Sequence, residues 1–458
     1  MLFNSLAFSV FLPLVFFIYW SFSRSKIKVQ NLFLLFSSYL FYAWWDWRFL
    51  ALIISSSIVD YFIGLKIFEN YNKFQKKTYL IISVVFNLVL LGFFKYYNFF
   101  ISSWVELLYS IGYEVQGTFT LNIILPVGIS FYTFQTMSYA IDIYRNKITP
   151  TTDFISFAAF VSFFPQLVAG PIERASHLLP QILKKRKFNY NTAIEGVHLI
   201  IWGLFKKVAV ADNLALIVDS YYGNVELYSS NSLYTAIILI LYSFQIYCDF
   251  SGYSDIAIGV SRLFGISLSE NFKRPYFSSS FSEFWNRWHI SLSSWLKDYL
   301  YIPLGGNRNG KFNTYKNNMI TMLLGGLWHG ASLNFIFWGW LHGIFLIIQR
   351  ILGHNKVLLN RITIFILVTL AWIPFRASSL SDTLEVFRSL LSLNINLNFP
   401  VGLFKISLAV IMVLFLLSID ILEELNVKTK NWYVSLTLIL LMFLFGNWYS
   451  NTFIYFQF

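Results

Sequence analysis

Long apolar segments recur along this chain, and several reach the ~20 residues with which a helix crosses a bilayer. The composition agrees, because 57% of the 458 residues are hydrophobic and the mean hydropathy is +0.60. Charged residues make up 12%, about half of the ~25% usual in soluble domains. This leaves too little polar surface for a soluble, disordered, collagen-like or disulfide-scaffold protein, so the sequence predicts a polytopic membrane protein.

The hydropathy pattern predicts an all-α fold of about eleven transmembrane helices in one membrane domain over residues 1–458. Basic residues follow the first apolar segment and no small-residue cleavage site succeeds it, so we interpret that segment as a retained span. The candidate spans are Leu6–Ser23, Asn31–Trp45, Leu50–Ile67, Leu80–Phe94, Ile123–Ile143, Ala193–Tyr221, Leu233–Leu263, Asn318–Trp328, Leu333–Ile348, Ile362–Phe375, Phe404–Leu422 and Tyr433–Trp448.

The net charge of +12 is carried largely by loops between the apolar segments. In a chain this apolar, basic loops are better explained as topology signals and lipid-surface anchors than as a nucleic-acid interface. The positive-inside rule places these loops in the cytoplasm and the start of the first span outside. The basic clusters are Arg24–Lys28, Lys66–Lys77, Arg145–Lys147, Arg174–Lys187, Lys273–Arg274 and Arg308–Lys316.

Two apolar segments do not fit as simple spans. Basic loops flank Phe154–Gly170 on both sides and Pro165 interrupts it, which indicates a re-entrant segment that enters and leaves on the cytoplasmic side. The same topology places Phe99–Tyr113 in the outer interface, since Arg145 would otherwise face outside. Irregular backbone at membrane depth is tolerated inside protein or beside a water-filled cavity, so the re-entrant segment hints at a site within the membrane.

The segment Phe281–Gly310 is too polar to span the bilayer. Its large apolar side chains recur at helical spacing, which predicts an in-plane interfacial helix with one mostly aromatic face. Glu283 and Arg287 are four residues apart and are expected to pair. A helix of this kind can also fold inward and line a cavity. The face consists of Trp285, Trp288, Leu292, Trp295 and Tyr299.

His329 lies at the break between two apolar segments, directly before Gly330. A buried imidazole with a reference pKa of ~6.5 can take a proton from a hydroxyl near neutral pH. Two roles remain open from chemistry alone: a catalytic base, or a structural histidine bonded to a neighbouring carbonyl. The small-residue pairs Gly326–Gly330 and Gly339–Gly343 predict close helix packing around it.

The other histidines divide by context. His289, in the polar segment, stands out with His329 as a candidate functional residue. His198 and His342 lie in apolar helices and are interpreted as hydrogen-bonded packing residues, whereas His177 and His354 lie in polar loops where a solvated role is the default.

Asp142, Asp249 and Asp255 are intramembrane carboxylates. Each can orient a histidine, pair with an arginine or bind a cation, and a paired structural carboxylate is the favoured interpretation. The sequence has no G-x-x-x-x-G-K-[ST], H-E-x-x-H or G-x-S-x-G motif, so it gives no sign of an ATP-driven pump, a zinc protease or a serine hydrolase. The single cysteine, Cys248, forms neither an intrachain disulfide nor a zinc cluster, and no metal site is predicted.

Six stretches together resemble the membrane-bound O-acyltransferase (MBOAT) superfamily, in its bacterial alginate O-acetyltransferase-like branch. They occur in the family's order and cover most of Leu125 to Gln349, whereas the N-terminal spans match only in character. The stretches are LPVGISFYTFQTMSYAIDIYR, FFPQLVAGPIERASHLLPQ, YCDFSGYSDIAIG, NFKRPYFSSSFSEFWNRWHISLSSWLKDYLYIPLGGNR, GGLWHGASLNFIFWGWLHG and the terminal FIYFQF.

The resemblance implies a tunnel through a thinned protein core, with an acyl thioester arriving from the cytoplasm. It implies that His329 is the catalytic residue, as a general base or an acyl carrier, and that His289, the second histidine of the family, shapes the tunnel. No bound cofactor is implied; acetyl-CoA is expected as the donor substrate. Further tunnel and substrate-support residues are Asp249, Asn286, Arg287, Lys297, Asp298 and Trp328.

These observations favour a bacterial plasma-membrane O-acetyltransferase that delivers acetyl to hydroxyls of an exported or cell-wall polysaccharide. The resemblance also implies an extracytoplasmic, hydrolase-like partner. One alternative keeps the fold and transfers D-alanine onto teichoic acid from a carrier-protein thioester; the QLVAGPIER stretch fits the acetylation branch better. A second alternative is a transporter or flippase with coupling ions at Asp249 and Asp255. No inverted repeat is visible in the sequence, which counts against this alternative.

Overall fold

A computed structural model describes residues 1–22, 25–113, 117, 119–353, 360–397, 399–448 and 453–454. Within these ranges the regular structure is helical and contains no strand, as the sequence predicts. Arg24, His354 and all but the first two residues of the terminal FIYFQF stretch lie outside the described residues. The chain folds into two compact units. The single domain over residues 1–458 stays a prediction.

The N-terminal unit comprises residues 1–2, 6–190 and 261–268. One π-helical turn, Gly92–Tyr96, joins its fourth and fifth helices. Its helices are α1 Leu6–Ser21, α2 Ile27–Asp46, α3 Leu50–Glu69, α4 Lys73–Leu91, α5 Tyr97–Ser110, α6 Ile129–Tyr144, α7 Phe154–Ser162, α8 Phe164–Leu167 and α9 Ala175–Ile182.

The C-terminal unit comprises residues 3–5, 191–260 and 269–458. Two π-helical turns, Phe205–Ala211 and Lys297–Tyr301, interrupt its helical pattern. Its helices are α10 Tyr190–Leu204, α11 Asp212–Tyr222, α12 Val225–Tyr228, α13 Ser232–Leu263, α14 Phe281–Arg287, α15 Ile290–Leu296, α16 Gly310–His329, α17 Leu333–Leu352, α18 Arg361–Arg376, α19 Leu380–Ser392, α20 Leu403–Glu424 and α21 Trp432–Phe445.

Five helical runs among the described residues are long and apolar enough to cross a membrane: Ile27–Glu69, Lys73–Ser110, Ser232–Leu263, Leu333–Leu352 and Leu403–Glu424. The prediction of a polytopic, all-α membrane protein is therefore confirmed, while the count of about eleven spans stays a prediction. The segment predicted to lie in the outer interface forms α5, which continues the α4 helix through the π-helical turn.

The proposed re-entrant segment is buried in the N-terminal unit. The chain changes direction at Phe163, between α7 and α8. The Phe160 carbonyl accepts hydrogen bonds from the side-chain amides of Gln135 at 2.8 Å and Gln166 at 3.1 Å. The Phe164 N–H donates to the Ser38 hydroxyl at 3.1 Å. Backbone groups of the re-entrant segment thus find hydrogen-bond partners inside the protein, as is required at membrane depth. That the segment enters and leaves on the cytoplasmic side stays a prediction.

In the C-terminal unit, α16 and α17 form an antiparallel hairpin that carries His329 at its turn. A Cβ on Gly326 would lie 2.2 Å from the Phe335 carbonyl oxygen, and one on Gly339 would lie 2.3 Å from the Met322 carbonyl oxygen. Approaches this short leave room only for hydrogen in place of a side chain at these two glycines. The close packing predicted from the small-residue pairs is therefore present.

We predict that Gly326→Ala destabilises the protein by roughly 1–3 kcal/mol, because the added methyl group meets backbone and not a movable side chain. The measurement is the thermal unfolding midpoint of the detergent-solubilised protein. Gly92→Ala is the matched control, since a Cβ there meets no atom within 4 Å. Equal midpoints for the two variants would contradict this account of the hairpin.

Candidate active site

His329 is the last residue of α16 and ends it inside the protein. Its side chain is 3% exposed. Gly330 follows in an extended conformation, and the Ser332 hydroxyl caps α17 by accepting a hydrogen bond from the Asn334 N–H at 3.2 Å. The helix break predicted at this histidine is therefore present. Because both flanking helices pack closely, the imidazole is held on rigid backbone.

His289 occupies a second chain break, between α14 and α15. Its backbone is left-handed, with φ of 42° and ψ of 54°. A non-glycine residue in this region costs about 1–3 kcal/mol and persists where surrounding contacts hold it. The prediction of one continuous in-plane helix is wrong, because the chain turns here. Trp288 and Trp295 are buried and do not form an interfacial belt.

Aromatic rings surround both histidines. The centroids of His289 and His329 are 6.3 Å apart, and the Trp328 ring lies 5.8 Å from His289 and 5.1 Å from His329. Trp338 and Phe375 lie 5.0 Å and 5.3 Å from His329. Burial lowers the pKa of His289 to about 3, so this imidazole is neutral at physiological pH.

A cavity of about 120 Å³ adjoins His329. Its lining includes both the exposed Lys297 and the buried His329. No carboxylate occurs among the lining residues that the structure describes. That lining is otherwise mostly apolar and suits a small uncharged group. The lining residues are Trp285, Leu292, Ser293, Leu296, Lys297, Tyr301, Asn318, Thr321, Met322, Gly325, His329, Trp338 and Leu346.

The remaining predicted support residues on α14 and the following π-helical turn lie outside the cavity lining. Phe281, Phe284 and Trp288 take the buried side of α14, so Asn286 is exposed on the other side. Arg287 pairs with Glu283 at 2.8 Å, as predicted, and also with Glu424 at 3.0 Å. Asp298, next to Lys297, is half-buried.

Asp249 belongs to a buried ionic cluster. Lys207 Nζ lies 2.6 Å from Asp249 and 2.8 Å from Asp212, and the adjacent Lys206 pairs with Asp255. The lysines lie on the π-helical turn Phe205–Ala211. Asp249 also accepts a hydrogen bond from the Ile454 N–H at 2.7 Å. The favoured interpretation of a paired structural carboxylate is confirmed, with lysine in place of arginine.

The other histidines differ among themselves. His198 bonds to the Ser435 hydroxyl at 2.7 Å, as expected of a packing residue. His342 is fully buried, and neither ring nitrogen has a hydrogen-bond partner among the described residues, so its interpretation as a hydrogen-bonded residue is wrong. In the N-terminal unit, His177 bonds to the buried Glu173 at 2.7 Å and is not simply solvated.

Sequence reasoning missed two groups of residues. The Lys206–Lys207 pair inside the apolar segment 193–221 was the available signal for the ionic cluster, because buried lysines require buried carboxylates. No local signal identified Asn271, which contacts His289 across 18 positions of the chain.

Two neighbouring buried histidines lie at helix breaks, and His329, but not His289, lines the small cavity. This arrangement in an apolar helical protein is suited to proton transfer on a small substrate. The chain belongs to the membrane-bound O-acyltransferase family, which it matches over residues 56–356. It is thus an O-acyltransferase of multi-pass inner-membrane type.

Similar proteins cover most of the chain. A probable alginate O-acetylase of Pseudomonas aeruginosa is 43% identical over 389 residues, which are 84% of this chain and 73% of the relative. A peptidoglycan O-acetyltransferase of Helicobacter pylori is 39% identical over 433 residues, 86% of this chain and 80% of the relative. A teichoic acid D-alanyltransferase of Streptococcus thermophilus is 30% identical over 276 residues, 57% of this chain and 66% of the relative.

Lys207→Met is expected to destabilise the fold by about 3–5 kcal/mol, because Asp212 and Asp249 would remain buried without their shared cation. Lys430→Met is the control: Lys430 lies 3.8 Å from Glu423 and is half-exposed, so its loss should cost less than about 1 kcal/mol. Thermal midpoints in detergent compare the two variants. A Lys207 variant as stable as the control would contradict a structural role for the cluster.

Proposed function

We propose that this protein transfers an acetyl group from a cytoplasmic thioester donor to hydroxyls of an exported or cell-wall polysaccharide. Two kinds of observation support the proposal. Relatives that share about 40% of their residues with most of this chain are named for alginate and peptidoglycan O-acetylation. The cavity beside His329 has room for a small acyl group.

The single observation that carries the chemistry is the position of His329, which is buried and lines that cavity. In the proposed reaction, the imidazole takes the proton of the attacking hydroxyl as its oxygen bonds to the thioester carbonyl carbon. The C–S bond then breaks, the thiolate leaves, and the imidazolium returns the proton to sulfur. The dry aromatic surroundings keep bulk water from competing with the acceptor.

The cavity lining favours acetyl over D-alanyl. A D-alanyl group carries an ammonium ion, which is costly to bury without an anionic partner. The described lining contains polar side chains such as Asn318 and Thr321 but no carboxylate, and the cationic Lys297 would repel the ammonium ion. The D-alanyltransferase relative also covers less of this chain. D-alanyl transfer therefore remains the second candidate function.

Acetyl-CoA is the proposed donor. Its phosphates would be attracted by exposed basic residues of the C-terminal unit, from clusters that the positive-inside rule places in the cytoplasm: Lys273, Arg308, Lys311 and Lys316. The exposed Lys297 adds a cation to the cavity lining. An extracytoplasmic, hydrolase-like protein is the proposed partner that passes the acetyl group to the polysaccharide.

We expect His329→Ala to lower acetyl transfer by at least about 100-fold, because the general base is lost. The assay uses membranes that contain the protein with its native genomic neighbours, radiolabelled acetyl-CoA, and scoring of polysaccharide esters per folded protein. His198→Ala is the matched control, since His198 bonds to Ser435 and does not line the cavity. Unchanged acetylation in a well-folded His329 variant would refute the catalytic role, and label recovered as D-alanyl ester from labelled D-alanine would select the second candidate.

Met322→Ala should widen the cavity and raise the rate with butyryl-CoA relative to acetyl-CoA by roughly tenfold, because pocket volume discriminates by about 1–3 kcal/mol per methylene. The measurement is the ratio of the two transfer rates in the same membranes. Met319→Ala, one turn earlier on α16, is the control because Met319 does not line the cavity. An unchanged ratio would mean that the acyl group binds elsewhere.

A further inference from the structure

Asn271 ties the chain break at His289 to the rest of the C-terminal unit. It is 1% exposed and lies in the connection between α13 and α14. Its backbone carbonyl accepts a hydrogen bond from the Ile290 N–H at 2.9 Å. Its side-chain oxygen accepts from the Ser291 hydroxyl at 2.9 Å and from the Ser291 N–H at 3.3 Å.

These contacts settle which way the Asn271 amide points. A backbone N–H can only donate, so the side-chain atom that faces Ser291 must be the oxygen. The amide nitrogen then faces the Ser254 hydroxyl on α13, to which it donates at 3.0 Å. Both ends of the amide therefore have partners. If the amide were flipped, its NH2 group would face the Ser291 N–H, and two hydrogen-bond donors would meet without an acceptor.

The orientation of this amide decides the proton position on His289. Nδ1 of His289 lies 3.0 Å from the same Asn271 oxygen. The oxygen carries no hydrogen, so Nδ1 must be the donor and hold the proton. In a neutral imidazole the lone pair is then on Nε2, which is the nitrogen able to accept a proton or a hydrogen bond.

We propose that Asn271 is a positioning residue that holds His289 in the Nδ1–H tautomer, so that Nε2 acts as an acceptor in the reaction. This rests on the function proposed above. The left-handed backbone of His289 fits the same purpose, since the bonds from Ile290 and Ser291 to Asn271 hold the strained turn that aims the ring.

Few charged groups surround this contact. His329, on α16, is a titratable residue whose ring lies near His289, at 6.3 Å. On the Asn271 side, Arg274 pairs with Glu424 at 2.7 Å and Glu423 at 3.4 Å. Arg287 pairs with Glu283 and Glu424, and Asp249 pairs with Lys207, as described above. Glu270, next to Asn271 in the chain, is exposed. Lys273 follows Phe272 in the same connection.

Two substitutions test the proposal in the membrane acetylation assay. Asn271→Ala removes the acceptor for Nδ1–H, and we expect acetyl turnover to fall on the order of 10- to 100-fold. Asn271→Asp keeps an oxygen at that position, so it should retain most of the turnover at pH 8. Asn231→Ala controls for loss of a buried asparagine, because the Asn231 amide donates to the Asn396 carbonyl and contacts no histidine.

The pH profile separates positioning from a merely structural role. The carboxylate in Asn271→Asp stabilises the imidazolium form and raises the pKa of His289 by about 1–3 units. Because burial lowers the pKa of His289, the ratio of variant to wild-type turnover should fall as the pH is lowered from about 6 to 4. A histidine protonated on both nitrogens has no acceptor left.

A double-substitution cycle shows whether Asn271 acts through His289. In a His289→Gly background, where glycine accepts the left-handed backbone, Asn271→Ala should change turnover less than twofold.

Wild-type membranes that transfer no acetyl would refute the proposed function. Active wild type, with full turnover in Asn271→Ala and an unshifted pH profile in Asn271→Asp, would overturn this inference alone. If the alanine variant fails to fold, the aspartate profile decides.

Discussion

Polar groups inside a membrane protein must find partners inside the protein, and both buried histidines depend on that constraint. A helix break exposes backbone N–H and C=O groups that lipid cannot satisfy. At His289 the Asn271 carbonyl and side chain meet the freed N–H groups, and at His329 the Ser332 hydroxyl caps the next helix. The breaks are therefore tolerated only where tertiary contacts surround them. The same contacts hold a side chain at the break in a fixed orientation.

The same constraint separates the charged residues into two populations. Lys206 and Lys207 are buried and lie in contact with carboxylates from α11 and α13. Arg274 and Arg287, by contrast, share Glu424 at a half-buried position. Buried pairs hold elements together because losing one partner leaves an uncompensated charge. The cavity beside His329 is different, since Lys297, the cation among its described lining residues, is exposed to solvent.

Most helices could be predicted from the sequence because lipid-facing helices require long apolar runs, and the predicted spans Leu50–Ile67 and Phe404–Leu422 match α3 and α20 within a few residues. The helical spacing of Trp285, Trp288 and Trp295 was misleading. It predicts one straight helix, but the chain turns at the left-handed His289, so Trp285 lies on α14, Trp288 directly after its end, and Trp295 on α15. The spacing of apolar residues depends on the local sequence, whereas the turn at His289 is stabilised by hydrogen bonds to Asn271, which is distant in the sequence.

The membrane location and the helical class follow from the amino-acid sequence, which also predicts the helix break at His329, because bilayer thickness and the cost of buried polar groups act on local stretches of chain. The tertiary structure alone decided how the histidines are held. The bond from His289 to Asn271 and the ion pair of Lys207 with Asp249 join residues 18 and 42 positions apart. Such contacts satisfy buried polar groups only after the helices have packed, so no local pattern could reveal them.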